Sequence, residues 1–316
     1  MTDDHSMKRW PIWPLIALTF ALVLLPASSQ VIRPEVARWH LAIAHDSLVD
    51  TAYHRTQLAE QPRTEKHLAG YKRSLAKAEK AIERASKWGG KTSEYYSIRS
   101  RLHREKGNDR QARDDLVNAA NESSPRSAWR RVQELANFEW RSDIKSALSH
   151  SLNAIALAEA LDLSLERAEL LNDLAYNRAV ARIDLDEALK NIDEAIEIFD
   201  SSGLANIESP LVMLRDTRGF ILFRLGRRAE ARKEFDVIWE YFEDWKTEQL
   251  TMVRETKRTE IDIRTLRAET RARARSIAVI MNHRSQVLDS VKDADEIRAL
   301  HQEILAFGVR PGPGLN

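Results

Sequence analysis

The sequence predicts an all-α protein, an α-solenoid of stacked helical hairpins preceded by an N-terminal hydrophobic helix. Within residues 211–241, two short patterns with side chains at steps of three and four meet at Leu225-Gly226, which indicates a helical hairpin. Similar hairpins follow one another along the chain, and few segments alternate apolar with polar residues as strands do. Because one hairpin cannot cover its own apolar face, the hairpins are expected to stack on each other.

Two glycines explain how the hairpin of residues 211–241 can close. Gly219 has no side chain, so the second helix can lie close against the first. Gly226 can adopt the positive φ that ends a helix and turns the chain back. The residues at helical spacing in the two helices are Met213, Thr217, Phe220, Ile221, Ala231, Phe235 and Ile238.

The repeated pattern begins at Pro34, which suits the first turn of a helix because its missing N–H would be unpaired there. Helix breakers then divide residues 34–241 into successive hairpins. The second helices carry equivalent alanines that lie 35, 41 and 43 residues apart. These alanines are Ala112, Ala147, Ala188 and Ala231.

The residues around these alanines resemble the tetratricopeptide repeat, in which a small residue, a large apolar residue and a glycine precede the alanine. The two best matching sets are Gly219, Leu222, Gly226, Ala231, Phe235 and Ile238, and Ser100, His103, Gly107, Ala112, Leu116 and Ala119. Leu222 and His103 stand where the family prefers tyrosine, and the hairpin that begins at Leu163 has one extra residue between its helices. The resemblance covers residues 34–307 and implies five or six repeats.

The C-terminal part departs from the repeat. In residues 247–282 eight basic side chains are set among acidic ones, so we expect a long charged helix that is largely solvated, with a thin apolar stripe from Leu250 to Ile280. The spacing of Ser285, Leu288, Ile297 and Ile304 then predicts a last hairpin that caps the stack. Residues 308–316, with two prolines, are expected to form an irregular tail.

The N-terminal residues 1–32 are predicted to be a cytoplasmic stub followed by a transmembrane anchor or a signal segment. Lys8-Arg9 precede residues 10–25, which carry no charge. As a helix those residues extend about 24 Å, against a hydrocarbon thickness of about 30 Å, and residues 26–32 could complete the span. Trp10 and Trp13 suit an interfacial belt, whereas Ala27-Ser28-Ser29 suits signal peptidase, so a cleaved signal stays open. In both cases the bulk of the chain is expected outside the cytoplasm, although Arg33 and Arg38 weaken that orientation.

Composition limits the classes of partner. With 43% hydrophobic residues the chain can build a substantial core. The 49 basic and 48 acidic residues leave a net charge of +1, so no long-range field favours nucleic acid or an acidic lipid surface. The chain has no cysteine, which excludes disulfides, thiolate metal sites and cysteine nucleophiles.

No motif indicates catalysis, a cofactor or a metal. The segment 88–92 resembles a phosphate-binding loop, but the first glycine of that motif would fall at Ala85 and no strand precedes it. His40, His45 and His54 lie on one predicted helix, but their spacings of five and nine do not place them on one face. The basic run 271–275 could contact RNA, although its interleaved alanines and nearby acids favour a helix that balances its own charge.

The resemblance implies a concave groove lined by the first helix of each repeat. Aromatic and arginine side chains dominate many binding energies, so a peptide or protein is the expected partner, with no small-molecule substrate. The lysine and asparagine pattern by which some family members hold a carboxyl terminus is missing. The predicted groove residues are Arg101, Arg104, Asn137, Trp140, Arg141, Asn172, Tyr176, Phe220 and Arg224.

We therefore expect a bacterial-type, non-catalytic scaffold that is membrane-anchored or exported and binds a protein partner in its groove. One alternative is a structural envelope protein that self-associates through the stripe of residues 250–280. A helical-repeat nucleic-acid binder is a second alternative, and an enzyme a third.

Overall fold

The computed structural model describes residues 33–55, 58, 65–203, 208–256, 276–288 and 292–306. These residues form helices joined by turns, and no strand occurs among them. The all-α prediction is therefore confirmed for this part of the chain. The predicted anchor or signal segment, most of the basic stretch between residues 257 and 275, and the predicted C-terminal tail lie outside the described residues.

Successive helices pair as hairpins, and the fully described connections between them are short turns. The helices are α1 (33–55), α2 (Glu65–Lys87), α3 (Ser93–Glu105), α4 (Asp109–Asn121), α5 (Ala128–Glu139), α6 (Ile144–Ala160), α7 (Ser164–Ala181), α8 (Leu185–Ser201), α9 (Glu208–Arg224), α10 (Arg228–Thr256), α11 (276–287) and α12 (Ala294–Ala306). Helix α3 packs against α4, α5 against α6, α7 against α8 and α9 against α10. The second helix of one hairpin also contacts the first helix of the next, and α7 contacts α9. This arrangement is that of stacked hairpins, as expected for a helical-repeat solenoid.

The repeated alanines are fully buried in the second helices of their hairpins. Ala112, Ala147, Ala188 and Ala231 all have 0% of their surface exposed. A methyl group is the largest side chain that such positions hold without pushing the helices apart, because interiors are packed at crystal-like density. The spacing read from the sequence therefore marks the same structural position in four successive hairpins.

The two glycines of the α9–α10 hairpin act as the sequence predicts. A Cβ atom on Gly219 would lie 2.7 Å from Cε2 of Phe235, so α10 occupies the space that a side chain would need. Gly226 has φ +77 in the turn between the helices. Both predictions are confirmed.

The turn between α7 and α8 is built without glycine. Arg182 and Asp184 adopt left-handed conformations there, with φ of 56 and 44. This turn has three residues, as do those between α3 and α4 and between α9 and α10, so the extra residue predicted between these helices does not lie in the turn. An arginine and an aspartate in this region store strain that glycine would avoid.

The prediction that residues 247–282 are largely solvated is wrong for the described end of that stretch. Ile277, Ile280 and Met281 in α11 are at most 1% exposed. They pack with Phe242 of α10 and with residues of α9 and α12 in one apolar cluster. The hydrophobic contacts of α11 come from distant parts of the chain, so the local charge pattern did not show them.

Charged side chains also connect successive hairpins. The Glu139 carboxylate of α5 is 1% exposed and lies 2.7 Å from both Arg113 of α4 and His150 of α6. Lys246 of α10 lies 2.9 Å from Glu303 of α12. Acidic and basic side chains of neighbouring helices thus form ion pairs, which agrees with the nearly equal numbers of acidic and basic residues in the sequence.

Replacing Gly219 with alanine is expected to lower the free energy of unfolding by about 1–3 kcal/mol, because the new methyl group meets the buried Phe235 ring. In an open helix the same change would stabilise by about 1 kcal/mol. Chemical denaturation of the single variant measures the difference. The double variant Gly219→Ala/Phe235→Leu is expected to lose less than the sum of the two single variants, whereas simple additivity or a net gain for Gly219→Ala would contradict the contact.

Candidate binding groove

The first helices α1, α3, α5, α7 and α9 form one side of the stack, which we call the first-helix face. It carries the nine predicted groove residues, and the structure divides them by exposure. Arg101, Arg104, Asn137 and Arg141 are exposed. Trp140, Asn172, Tyr176 and Arg224 are half-buried, and Phe220 is buried.

A cavity of about 220 Å³ opens between α1 and α3 at the N-terminal end of this face. We call it the arginine cavity, and its lining residues are His45, Leu48, Val49, Ala52, Arg55, Arg101, Arg104 and Glu105. Aliphatic side chains of α1 supply its apolar part. Three arginines supply positive charge, so the cavity joins an apolar surface to a cationic one.

The charges of the arginine cavity are unequal. Arg55 Nη1 lies 2.8 Å from Oε1 of Glu105, whose side chain is 10% exposed. Burial raises the pKa of Glu105, although Arg55 and Arg104 oppose this, and its Oε2 is buried without a hydrogen-bond partner. Within the described residues, Arg101 and Arg104 form no ion pair, and the Arg104 guanidinium lies 5.6 Å from the centre of the Phe138 ring. The positive charges of these two arginines are therefore available to bind an anionic group of a ligand.

A hydrogen-bonded group occupies the middle of the first-helix face. Gln133 Nε2 of α5 donates to Asn137 Oδ1 and to Asp173 Oδ2 of α7, both at 3.2 Å. The pKa of Asp173 is raised to about 6: burial is the main cause and the neighbouring Glu169 adds to it, while the hydrogen bond from Gln133 acts in the opposite direction. The carboxyl group of Asp173 is thus held in a setting that favours its neutral form.

The C-terminal end of the first-helix face is filled by α11. His283 stacks on Phe220 with ring centres 4.2 Å apart, and its Nδ1 lies 3.0 Å from Oδ2 of the buried Asp216. The Tyr176 ring centre is 5.8 Å from that of Phe220, and the Arg224 guanidinium lies 4.7 Å from the Phe220 ring centre. Burial raises the pKa of Tyr176 and lowers that of Arg224. This cluster packs helices together and leaves little surface for a partner.

One predicted groove residue, Phe220, is buried, at 3% exposure, because the His283 ring covers it. Trp140 is half-buried and packs against the main apolar core, and among the described residues its Nε1 has no hydrogen-bond partner. Asn172 is also half-buried, and its buried Oδ1 has no partner within the same residues. Packing by neighbouring helices, which a single repeat does not reveal, removed Phe220 from the free surface and reduced the exposure of the other two.

Sequence reasoning missed the α1 side of the arginine cavity. This side is formed by Leu48, Val49 and Arg55 on the first helix of the first repeat. On that helix only the histidines were considered as candidate functional residues in the sequence analysis. The helical spacing of Leu48, Val49 and Arg55 could have shown that these residues share one face of α1, and that this face could lie against the arginines of α3. No sequence signal could have paired Asp216 with His283, which are 67 residues apart.

The structure also shows the surroundings of two features that the sequence analysis judged not to be functional sites: the segment 88–92 and the histidines of α1. Gly89 has φ +85 just after α2, and Thr92 Oγ1 caps α3 by accepting from the Tyr95 N–H at 3.3 Å. The glycines of this segment therefore serve a helix end and a helix start. His54 Nδ1 lies 3.2 Å from Nδ1 of His67 in α2, whereas His40 is buried at 6% exposure.

No protein-family model and no curated protein matches this chain. Among solved structures, the crystal structure of BtubC (BKLC) from P. vanneervenii is similar at 12% sequence identity, with a TM-score of 0.48, over 89% of this chain and 96% of that chain. A likeness at this distance carries no argument about function. Among the described residues, no helix is both long enough and apolar enough to cross a membrane.

The raised pKa of Asp173 predicts a pH-dependent stability. An unfolded aspartate titrates near 3.8 and the folded one near 6, so Asp173 destabilises the fold progressively between these pH values and fully above them. Asp173→Asn keeps an acceptor for Gln133 and is expected to raise the free energy of unfolding by about 1–3 kcal/mol at neutral pH and by little below about pH 4. Urea unfolding at several pH values measures this. An equal gain at all pH values would show that ionisation of Asp173 has no part in it.

Proposed function

We propose that this chain is a non-catalytic scaffold of tetratricopeptide-like repeats that binds a peptide segment of a partner protein on its first-helix face. The observation that carries the proposal is the arginine cavity. Its apolar wall accepts an aliphatic or aromatic side chain, and Arg101 and Arg104 beside it suit a carboxylate. The partner segment is therefore one with an acidic residue next to a large apolar residue.

The distribution of free surface supports the N-terminal end as the contact region. Arginines in a partly apolar setting contribute strongly to protein interfaces, because little water competes for them once a partner binds. The C-terminal end of the same face is already occupied by the contact between Phe220 and His283. Asn137 and Arg141 extend the exposed surface from the cavity toward the middle of the stack.

We further propose that residues 10–32 tether the scaffold to a membrane, with the repeats on the outer side. The support is the uncharged run that follows Lys8-Arg9. Cleavage after Ala27-Ser28-Ser29 is the competing outcome. N-terminal sequencing of the mature chain separates the two.

Self-association through residues 250–280 is the weaker alternative. Ile277 and Ile280 belong to that stripe, but they are buried against α9, α10 and α12 of their own chain. Side chains already used within one molecule cannot also form the interface between two. Light scattering that shows assembly at rising concentration would revive the alternative.

The proposal predicts a charge-dependent peptide specificity. Display of random peptides against the full chain is expected to enrich sequences with an acidic residue beside a large apolar one. Arg101→Glu/Arg104→Glu should weaken binding of such a peptide by about tenfold to a hundredfold, because two favourable charge contacts become repulsive.

The matched control is Arg110→Glu/Arg126→Glu. Both arginines are exposed and lie away from the arginine cavity, on α4 and in the turn after it, and the net charge changes by the same amount. This control is expected to bind as the unmodified chain does. Equal weakening by both double variants would reduce the effect to net charge, and enrichment of basic peptides would overturn the proposed ligand.

A further inference from the structure

The outer side of the first hairpin carries an unusual charge distribution along α2. Six of the seven cations of α2 recur so that, at about 100° per residue, they fall within an arc of about 80°, whereas Lys72 and the acids of α2 lie about 100° from the centre of that arc. We call these cations the cation stripe, and they are Lys66, Arg73, Lys77, Lys80, Arg84 and Lys87. The stripe is local, since the whole chain has a net charge of only +1.

The cation stripe is largely unpaired. All six side chains are exposed. Lys87 lies 2.6 Å from Glu83, which is an exposed contact, but within the described residues Arg73, Lys77, Lys80 and Arg84 form no ion pair. A row of unneutralised cations repels itself unless an anionic surface lies against it.

The stripe faces away from the rest of the stack. Arg73 and Lys77 line a cavity of about 300 Å³ together with Asp50, Tyr53 and His54 of α1. The packed side of α2 is a different one, since its buried residues lie off the stripe and Glu79, also off the stripe, pairs with Lys106 at the end of α3. The α1 residues of the arginine cavity lie on the opposite flank of α1. Among the described residues, only α1 and α2 contribute side chains to the cavity beside the stripe.

Two tryptophans are exposed at the end of the hairpin where the chain enters α1. Trp39 is 61% exposed, more than any other large hydrophobic residue among those described, and Trp88 is 40% exposed. Burial lowers the pKa of His40 and the nearby Arg84 lowers it further, and the His40 ring lies 4.8 Å from that of Trp39. A Cβ on Gly90 would lie 3.0 Å from the Cβ of Ala37, which brings the turn containing Trp88 to the same end.

We propose that this outer side, with Trp39, Trp88 and the cation stripe, lies on the anionic headgroups of the membrane that holds the N-terminal segment. Tryptophan rings prefer the boundary between headgroups and hydrocarbon, and rows of lysine and arginine bind anionic lipid. The occupant follows from charge and from the chain itself, because only seven residues, none of them charged, separate the apolar run ending at Leu25 from residue 33. The inference rests on the proposed anchor for its geometry.

The test uses the full chain, whose lack of cysteine allows one added cysteine to carry a fluorophore. Ala42→Cys labels the exposed side of α1 one turn after Trp39, and Leu305→Cys, which is 56% exposed on α12, is the distant control. The chain is reconstituted into vesicles whose phosphatidylcholine carries a headgroup quencher, with or without phosphatidylglycerol. We expect quenching at position 42 in the phosphatidylglycerol vesicles, at least about fivefold above that at position 305.

Charge variants test the cause. Lys80→Glu/Arg84→Glu should bring the quenching at position 42 down to that at position 305. Lys72→Glu/Arg126→Glu changes the net charge equally but lies off the stripe, so it should leave the quenching unchanged. Equal quenching at positions 42 and 305, or equal effects of the two double variants, would overturn the lipid contact. Stripe-dependent binding of duplex DNA without quenching by vesicles would also overturn it and assign the stripe to nucleic acid.

Flotation of the same vesicles in high salt distinguishes this failure from failure of the anchor. A chain that stays with the vesicles in high salt but shows no quenching at position 42 keeps the anchor and loses the lipid contact. If the chain leaves the vesicles in high salt, its binding to vesicles in low salt is measured for the unmodified chain and for the stripe variant. Binding that needs the cation stripe supports the contact, and binding that does not need it contradicts the contact.

Discussion

Close contact between the two helices of each hairpin is the constraint on which this structure depends. The fully buried Ala112, Ala147, Ala188 and Ala231 allow the helices to approach until their remaining apolar side chains meet. A hairpin made in this way still exposes one apolar side, so its stability comes from the next hairpin in the stack. A peptide site on the first-helix face must then be built from the parts of the first helices that the neighbouring hairpins leave uncovered.

The part of this design that could be predicted from sequence is the part that repeats locally. Hairpin boundaries, the buried alanines and the roles of Gly219 and Gly226 depend on residues within one hairpin, and helical spacing reveals them. The candidate site depends on contacts between hairpins and could be predicted only in part. Arg101 and Arg104 were identified because their helix belongs to a regular repeat, whereas burial of Phe220 requires His283, which is far away in the chain.

Net charge was a poor guide to the surface because it averages over opposite local excesses. Buried acids such as Glu139 and Asp115 form ion pairs with basic residues of adjacent helices. These acids are therefore in the interior of the stack and do not offset cations on its surface. Cations are correspondingly left over at the N-terminal end, in the arginine cavity and along α2. A chain with a net charge of +1 can therefore have strongly cationic regions where its first hairpin meets solvent.

The two proposals place different demands on opposite sides of one hairpin. Leu48 and Arg55 of α1 line the arginine cavity on one side, and Asp50 and Tyr53 line the cavity beside the cation stripe on the other. One helix with its side chains is only about 10–12 Å across, so a segment bound in the arginine cavity would be held within about two helix diameters of a bilayer touching the stripe. Partners that are themselves attached to that membrane would reach the cavity without a long linker, and tethering both molecules to one surface raises their effective concentration. A modest intrinsic affinity of the arginine cavity would then be sufficient, which agrees with its small volume and its few free arginines.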